Sequence, residues 1–388
     1  MKRIASSHRR VRAFFQYMPP YPGAVSLRGA SILTSLAHAL AGNNVAVEAF
    51  TTTTAPQLLP DVCVRQISGQ EMESGKGLFV RIISEFWTGF CGAREMFQNR
   101  GGCDLAIISS PSYLAALIMA SSARRRGIPY VIDVRDIYPE VYVDAGLLRR
   151  NSILHRFFAS HSRKFYNNAR LVIAATDGLA RTVIEQAPNA NVTTIFNGFP
   201  AAFLGRGAEK HENFTVCFHG IMGFFQDIET LIEVARRLTH HGVDMVVIGY
   251  GRKEILMVNC ELPNLRFLGR KSFEETINEI EKCHLGLCLR TDDSVSRDAF
   301  PVKIWEYLGL GIPSLVTPIC EAGDFVEAHA CGKQFSTGNV DALVREILTL
   351  KMDQARLRAM ELNCKKIAEK HTREKMGLAA ADAITKIF

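Results

Sequence analysis

The chain has 388 residues, 47% of them hydrophobic and 22% charged, enough apolar material for two domains with full cores. Its 23 Phe exclude a disordered chain, and a net charge of +7 spread along the sequence suits an anionic ligand or a negatively charged membrane surface. Without dense basic runs or a nucleic-acid-binding signature, no nucleic-acid partner is expected.

The first residues, MKRIASSHRRVRAFFQY, are basic but lack an apolar core of about 7–15 residues, so no signal peptide is expected. VRAFFQY (11–17) reads as a strand, SLRGASILTSLAHALAGN (26–43) as a helix ending near Gly42, and VAVEAFT (45–51) as the next strand. LFVRIISEFWTGF (78–90) reads as a helix with Leu78, Phe79, Ile82, Ile83, Phe86, Trp87 and Phe90 on one face. The apolar run 104–123 holds Pro111 and several serines, so it reads as strand, turn and buried helix rather than as a membrane span.

PYVIDVRD (129–136) and ARLVIAAT (169–176) continue the strand series. Between them Arg149, Arg156 and Arg163 recur every seven residues beside Leu147, Leu154, Phe158 and Phe165. An aromatic face with a basic stripe suits an anionic membrane surface, and core packing accounts for the apolar face equally well.

After TTIFNGFP (193–200) the pattern restarts with FTVCFHGI (214–221), the helix DIETLIEVARRLTHHG (227–242), DMVVIGYG (244–251), LRFLGR (265–270), LGLCLR (285–290) and PSLVTP (313–318). Strands alternating with helices give right-handed crossovers and parallel sheets, here two of them meeting near residue 200. Ligands of such sheets bind outside the carboxyl ends of the strands. No full dinucleotide fingerprint and no P-loop occurs. The ten cysteines show neither C-x-x-C pairs nor metal spacing, and scattered thiols fit a reducing cytosol. Cys283, His284 and Cys288 come nearest to a cluster and read as part of a buried strand.

DAFPVKIWEYLGLGIPSLV (298–316) places Asp298 in a loop, Pro301 at the first helical position and Glu306 inside the helix. A helix N-terminus favours anions, and an ionised carboxylate accepts two hydrogen bonds, matching a vicinal diol.

Taken in order, MPPYPGAVSLRGASILTSLAHALAGNNVAV (18–47), IFNGF (195–199), VVIGYG (246–251), LRFLGR (265–270) and DAFPVKIWEYLGLGIPSLV resemble glycosyltransferase family 4, the retaining GT-B enzymes. VIDVRDIYPE (131–140) is most similar to the branch that builds bacterial O-antigen, capsule and exopolysaccharide. The resemblance implies two doubly wound, Rossmann-like domains facing across a cleft, divided as 1–200 and 201–370, with 371–388 returning to the N-terminal domain. It implies transfer from a UDP-, GDP- or dTDP-sugar to a glycan or polyprenyl-diphosphate-linked acceptor, without a cofactor or metal. The location implied is cytoplasmic, with peripheral contact at the inner face of the plasma membrane.

Carried onto this sequence, Asp298 holds sugar hydroxyls and Glu306 the ribose diol. Gly23, Gly220, Gly223, Gly249, Gly269, Arg270 and Phe300 complete the donor contacts with Arg290 and Lys303. The family often has an Arg and a Lys around the loop after the first C-domain strand, whereas GIMGFFQD has Met222 and Gln226 and no cation. Lys303 and Arg290 are therefore the candidates to neutralise the diphosphate. Asp136 or Arg135, at the end of an N-domain strand, is the candidate to bind or polarise the acceptor, an Asp136–Arg structural pair being the alternative. TDD (291–293) looks like a metal-binding D-x-D but lacks a strand-end partner acid. The rival readings are a non-catalytic sugar-nucleotide-binding subunit and a nucleotide-sugar 2-epimerase of the same architecture.

Overall fold

The computed structural model describes residues 9–21, 24–69, 78–98, 102–110, 112–144 and 146–388. The chain forms two compact units: Met1–Asn197 with Arg373–Phe388, and Gly198–Thr372.

In the first unit β1 (Arg9–Phe14), α1 (Ala24–Leu40), β2 (Val45–Thr51), β3 (Val62–Gln66), α2 (Leu78–Gln98), β4 (Leu105–Ser109), α3 (Tyr113–Arg125), β5 (Tyr130–Val134), α4 (Glu140–Asp144), α5 (Ile153–Asn167), β6 (Leu171–Ala174), α6 (Asp177–Gln186) and β7 (Val192–Thr194) follow in turn. The strands form one parallel sheet in the order β3-β2-β1-β4-β5-β6-β7. β4, β5 and β6 are buried at every residue, because helices cover both faces of the sheet. One face packs on Met96 of α2, Met119 of α3, Phe165 of α5 and Leu179 of α6. The other packs on Leu33 and Leu36 of α1.

In the second unit β8 (Phe214–Ile221), α7 (Ile228–Leu238), β9 (Val243–Tyr250), α8 (Glu254–Val258), β10 (Leu265–Phe267), α9 (Phe273–Ile280), β11 (Leu285–Leu289), α10 (Ser294–Asp298), α11 (Val302–Gly309), β12 (Ser314–Thr317), α12 (Glu321–Ala328), β13 (Gly332–Gln334), α13 (Val340–Met352) and α14 (Gln354–Lys370) build a parallel sheet ordered β10-β9-β8-β11-β12-β13. The chain then re-enters the first unit as α15 (Arg373–Thr385), whose Ala380 and Ile384 join the core beside α1. A Cβ on Gly377 would run into Ser31 and Ser35, so only glycine lets α1 and α15 approach this closely.

Both sheets start and reverse as a doubly wound fold requires, and the expected α/β GT-B architecture is what the chain adopts. Three local expectations change. Asp298 does not lie in a loop but closes the one-turn helix α10. Pro301 is the cap before α11 rather than its first residue. The strands β3 and β13, unmarked by apolar runs, form sheet edges where exposure relaxes the need for them.

Candidate functional site

The carboxyl ends of β8, β9 and β10 carry a row of glycines. Gly220 pairs in register with Gly249, whose N–H donates to Gly269 O at 2.9 Å. A side chain on Gly249 would strike the Gly220 carbonyl, and Gly220 and Gly269 hold φ of 124° and 63°, where glycine is favoured. Space beside Gly223 is open. Sequence reading named these four glycines separately, and the sheet brings Gly220, Gly249 and Gly269 together.

Next to this row the side chain of Lys303 reaches back from the first turn of α11. Its Nζ donates to Gln226 Oε1 at 3.0 Å and lies 3.9 Å from the Phe218 ring centre. Lys303 is buried, and burial, then the nearby Arg290 charge, pull its pKa down to about 8. Arg290, at the end of β11, is buried too, and its Nε has no hydrogen-bond partner. Among the described residues neither cation has a carboxylate within salt-bridge distance. Two buried positive charges without a counter-ion are costly unless an anion joins them.

Glu306 follows one turn after Lys303, and its Oε2 stands 3.3 Å from His219 Nε2. His219 is buried at the end of β8, and burial, then the Lys303 charge, push its pKa down to about 3, so the imidazole is neutral. Sequence reading missed His219. The available signal was a histidine interrupting the apolar end of FTVCFHGI, immediately before a strand-end glycine.

The remaining candidates fall in different places. Asp298 is half-buried at the end of α10. Phe300 is 4% exposed and stacks on Trp305 at 4.6 Å, inside an aromatic cluster with Phe325. Arg270 is exposed and lies over the Tyr250 ring at 4.4 Å. Gly23 lies outside the described residues. The acids of TDD are used locally: Asp293 caps α10 by accepting from Ser296 N at 2.7 Å, and Asp292 pairs with Arg297 at 2.8 Å.

In the first unit, Arg135 and Asp136 follow β5. Arg135 is partly exposed, its Nε is buried without a hydrogen-bond partner, and burial lowers its pKa. Asp133 of DVRD forms an ion pair: Arg28 of α1 reaches its Oδ1 at 2.9 Å and donates to Ile195 O at 2.7 Å. The aromatic face of α2 points outward. Ile83, Phe86, Trp87 and Phe90 are each more than half exposed, whereas Glu85 and Thr88 on the opposite side are buried. Ile153, Leu154 and Phe157 of α5 are exposed beside Arg156. Among the described residues no helix is long and apolar enough to cross a membrane.

Comparison with known proteins bears on the family and the fold. The family model described as Glycosyltransferase Family 4 matches residues 29–203, and the one described as Glycosyl transferases group 1 matches residues 205–371. No curated protein matches the sequence. Among solved structures the chain is similar to Anabaena HepE in complex with UDP-glucose, at 16% identity and a TM-score of 0.68 over 98% of this chain and 100% of that one. It is similar to sucrose-phosphate synthase from Thermosynechococcus elongatus, at 13% identity and a TM-score of 0.73 over 98% and 99% of the two chains. It also resembles WaaG, a glycosyltransferase involved in lipopolysaccharide biosynthesis, at 13% identity and a TM-score of 0.64 over 97% and 99%. With both halves matched and the fold shared, the chain belongs to glycosyltransferase family 4.

Proposed function

We propose that this glycosyltransferase is a retaining, metal-independent enzyme that moves a sugar from a nucleoside diphosphate sugar to a glycan or polyprenyl-diphosphate-linked acceptor in bacterial surface-polysaccharide synthesis. The observation that carries the donor side is the pair of buried cations, Lys303 and Arg290, lacking a counter-ion beside the glycine row. A diphosphate fits there: glycine lets backbone N–H groups approach it, and the two cations neutralise it. Glu306 then takes the ribose diol, Asp298 the sugar hydroxyls, and the backbone at Gly269 and Arg270 the base. HepE was solved with UDP-glucose, which supports a nucleotide-sugar donor of this kind, and WaaG's part in lipopolysaccharide biosynthesis supports a surface-polysaccharide product.

In the reaction the bond from the anomeric carbon to the diphosphate oxygen breaks, and the acceptor oxygen bonds to that carbon on the same face. The acceptor proton passes to a departing phosphate oxygen. Lys303 and Arg290 stabilise the charge that builds on this leaving group, so electrostatic preorganisation does most of the work. Arg135 and Asp136 are proposed to hold the acceptor. The outward aromatic face of α2 and the exposed start of α5 would seat this cytoplasmic enzyme on the membrane carrying that acceptor.

A panel of UDP-, GDP- and dTDP-sugars tested by thermal stabilisation and by sugar transfer checks the proposal. At about 100 times its dissociation constant the true donor adds roughly 2.7 kcal/mol of stability. Stabilisation by NAD with none by any nucleoside diphosphate would refute it, and donor binding without transfer to any acceptor would favour a binding subunit.

A further inference from the structure

We infer that His219 aims Glu306 at the donor: its Nε2–H, 3.3 Å from Glu306 Oε2, orients the carboxylate toward the ribose diol. This rests on the donor site proposed above and assigns a positioning residue within it.

The imidazole is fixed from below. Its ring meets the Tyr307 ring edge-on with centres 5.2 Å apart. Tyr307 is itself locked, donating its hydroxyl to Leu287 O at 3.1 Å and lying over Gly286, where a Cβ would come within 2.6 Å of the ring. His219 Nε2 is fully buried and has no aligned hydrogen bond among the described residues, and Glu306 Oε2 at 3.3 Å is an acceptor within its reach. The carboxylate completes the bond by turning about its terminal torsion, the softest in the side chain.

The protonation state suits the task. A neutral imidazole has a single N–H, and bonding Glu306 assigns that hydrogen to Nε2. Kept uncharged by burial and by Lys303, His219 orients the carboxylate without cancelling its charge. A diol needs both the orientation and the charge, since its hydroxyls donate best to an anionic acceptor. Sheet, tyrosine, histidine and glutamate thus form one relay of rigidity running from Gly286 to the proposed ribose site.

The test measures how strongly wild type and variants prefer UDP and GDP over their 2′-deoxy forms by calorimetry. Wild type should prefer the ribose form by about tenfold or more, the worth of one charge-assisted hydrogen bond. His219→Leu should cut that preference below about threefold, and His219→Gln, which keeps an N–H, should retain most of it. A folded His219→Leu protein with the full wild-type preference overturns the inference. Glu306→Ala run alongside separates the two claims. If it keeps the preference, the donor-site reading fails. If it loses the preference while His219→Leu keeps it, only the role of His219 fails. Should His219→Leu not fold, nitrogen NMR of wild-type His219 decides: hydrogen on Nε2 supports the inference, and hydrogen on Nδ1 overturns it.

Discussion

Lys303 and Gln226 meet at 3.0 Å, amine to side-chain oxygen, across 77 residues of sequence. The loop after β8 lacks a cation, and a lysine from α11 reaches it at Gln226. The charge is thus supplied from another element and held by an amide that cannot neutralise it.

That arrangement makes diphosphate binding sensitive to alkali. Burial brings the Lys303 pKa from 10.5 to about 8, so the amine loses its proton as pH rises through 8. Affinity for UDP or GDP should fall about tenfold between pH 7 and pH 10, allowing for the upward shift a bound anion causes. Lys303→Ala should bind weakly and without this slope. Calorimetry across the range checks it, and a wild-type affinity that is flat to pH 10 would contradict it.

Glu306→Ala should lower kcat/KM by about 30- to 1000-fold, the worth of roughly 2–4 kcal/mol from two charge-assisted hydrogen bonds. The thermal midpoint should move little, because the neighbouring His219 is neutral and is not left as a stranded charge. Near-wild-type transfer by a folded variant would displace the proposed ribose contact.

Mild acid should begin to destabilise the protein through its buried histidines. Unfolded histidine protonates near 6.5, whereas burial pushes His219 to about 3 and His284 to about 4 in the fold. Between these values the unfolded chain binds more protons, so stability is lost as pH falls from about 6.5 toward 4. Thermal melts in steps of pH should show this decline, and His219→Gln should make it shallower. A midpoint independent of pH over that interval would count against the buried neutral histidines.

How much of this was legible in the sequence differs by element. β4, β5, β9 and β11 are predominantly apolar runs because both faces of each are covered, and their positions follow from the apolar sequence alone. β13, with the sequence Gly-Lys-Gln, carries no such mark, since an edge strand is set by its neighbour's hydrogen bonds. The glycine row was visible as separate turns, but only the register joins Gly220 to Gly249. The contact of His219 with Glu306 was not legible, because nothing local to either residue specifies a partner so distant in sequence. For α2 the periodicity was plain, yet the inward face turned out to hold Glu85 and Thr88. A hydrophobic stripe gives a direction and does not say whether protein or solvent lies along it.

The exposed stripe gives a test of its own. Phe86→Ser with Trp87→Ser should abolish flotation with phosphatidylglycerol vesicles while leaving the thermal midpoint within a few degrees, since both side chains are more than half exposed. Binding by wild type should weaken in 1 M salt, where screening acts within about 3 Å. Equal flotation of wild type and variant would remove the membrane from the proposal.

Gly377→Ala should destabilise the first unit by about 1–3 kcal/mol, because the new methyl must displace Ser31 and Ser35 from the α1–α15 contact. Chemical denaturation should show the loss, and unchanged stability would mean that the helices can separate freely.

The place of α15 also bears on how the protein comes off the ribosome. The first unit's strands emerge early, but the helix that completes one face of their core is translated after all of Gly198–Thr372. The inserted unit, continuous in sequence, can close upon itself while the outer one still waits with Leu33 and Leu36 uncovered. Synthesis order and folding order are therefore reversed, and nascent chains stalled just before Arg373 should present a finished second unit attached to a sticky, chaperone-dependent first one.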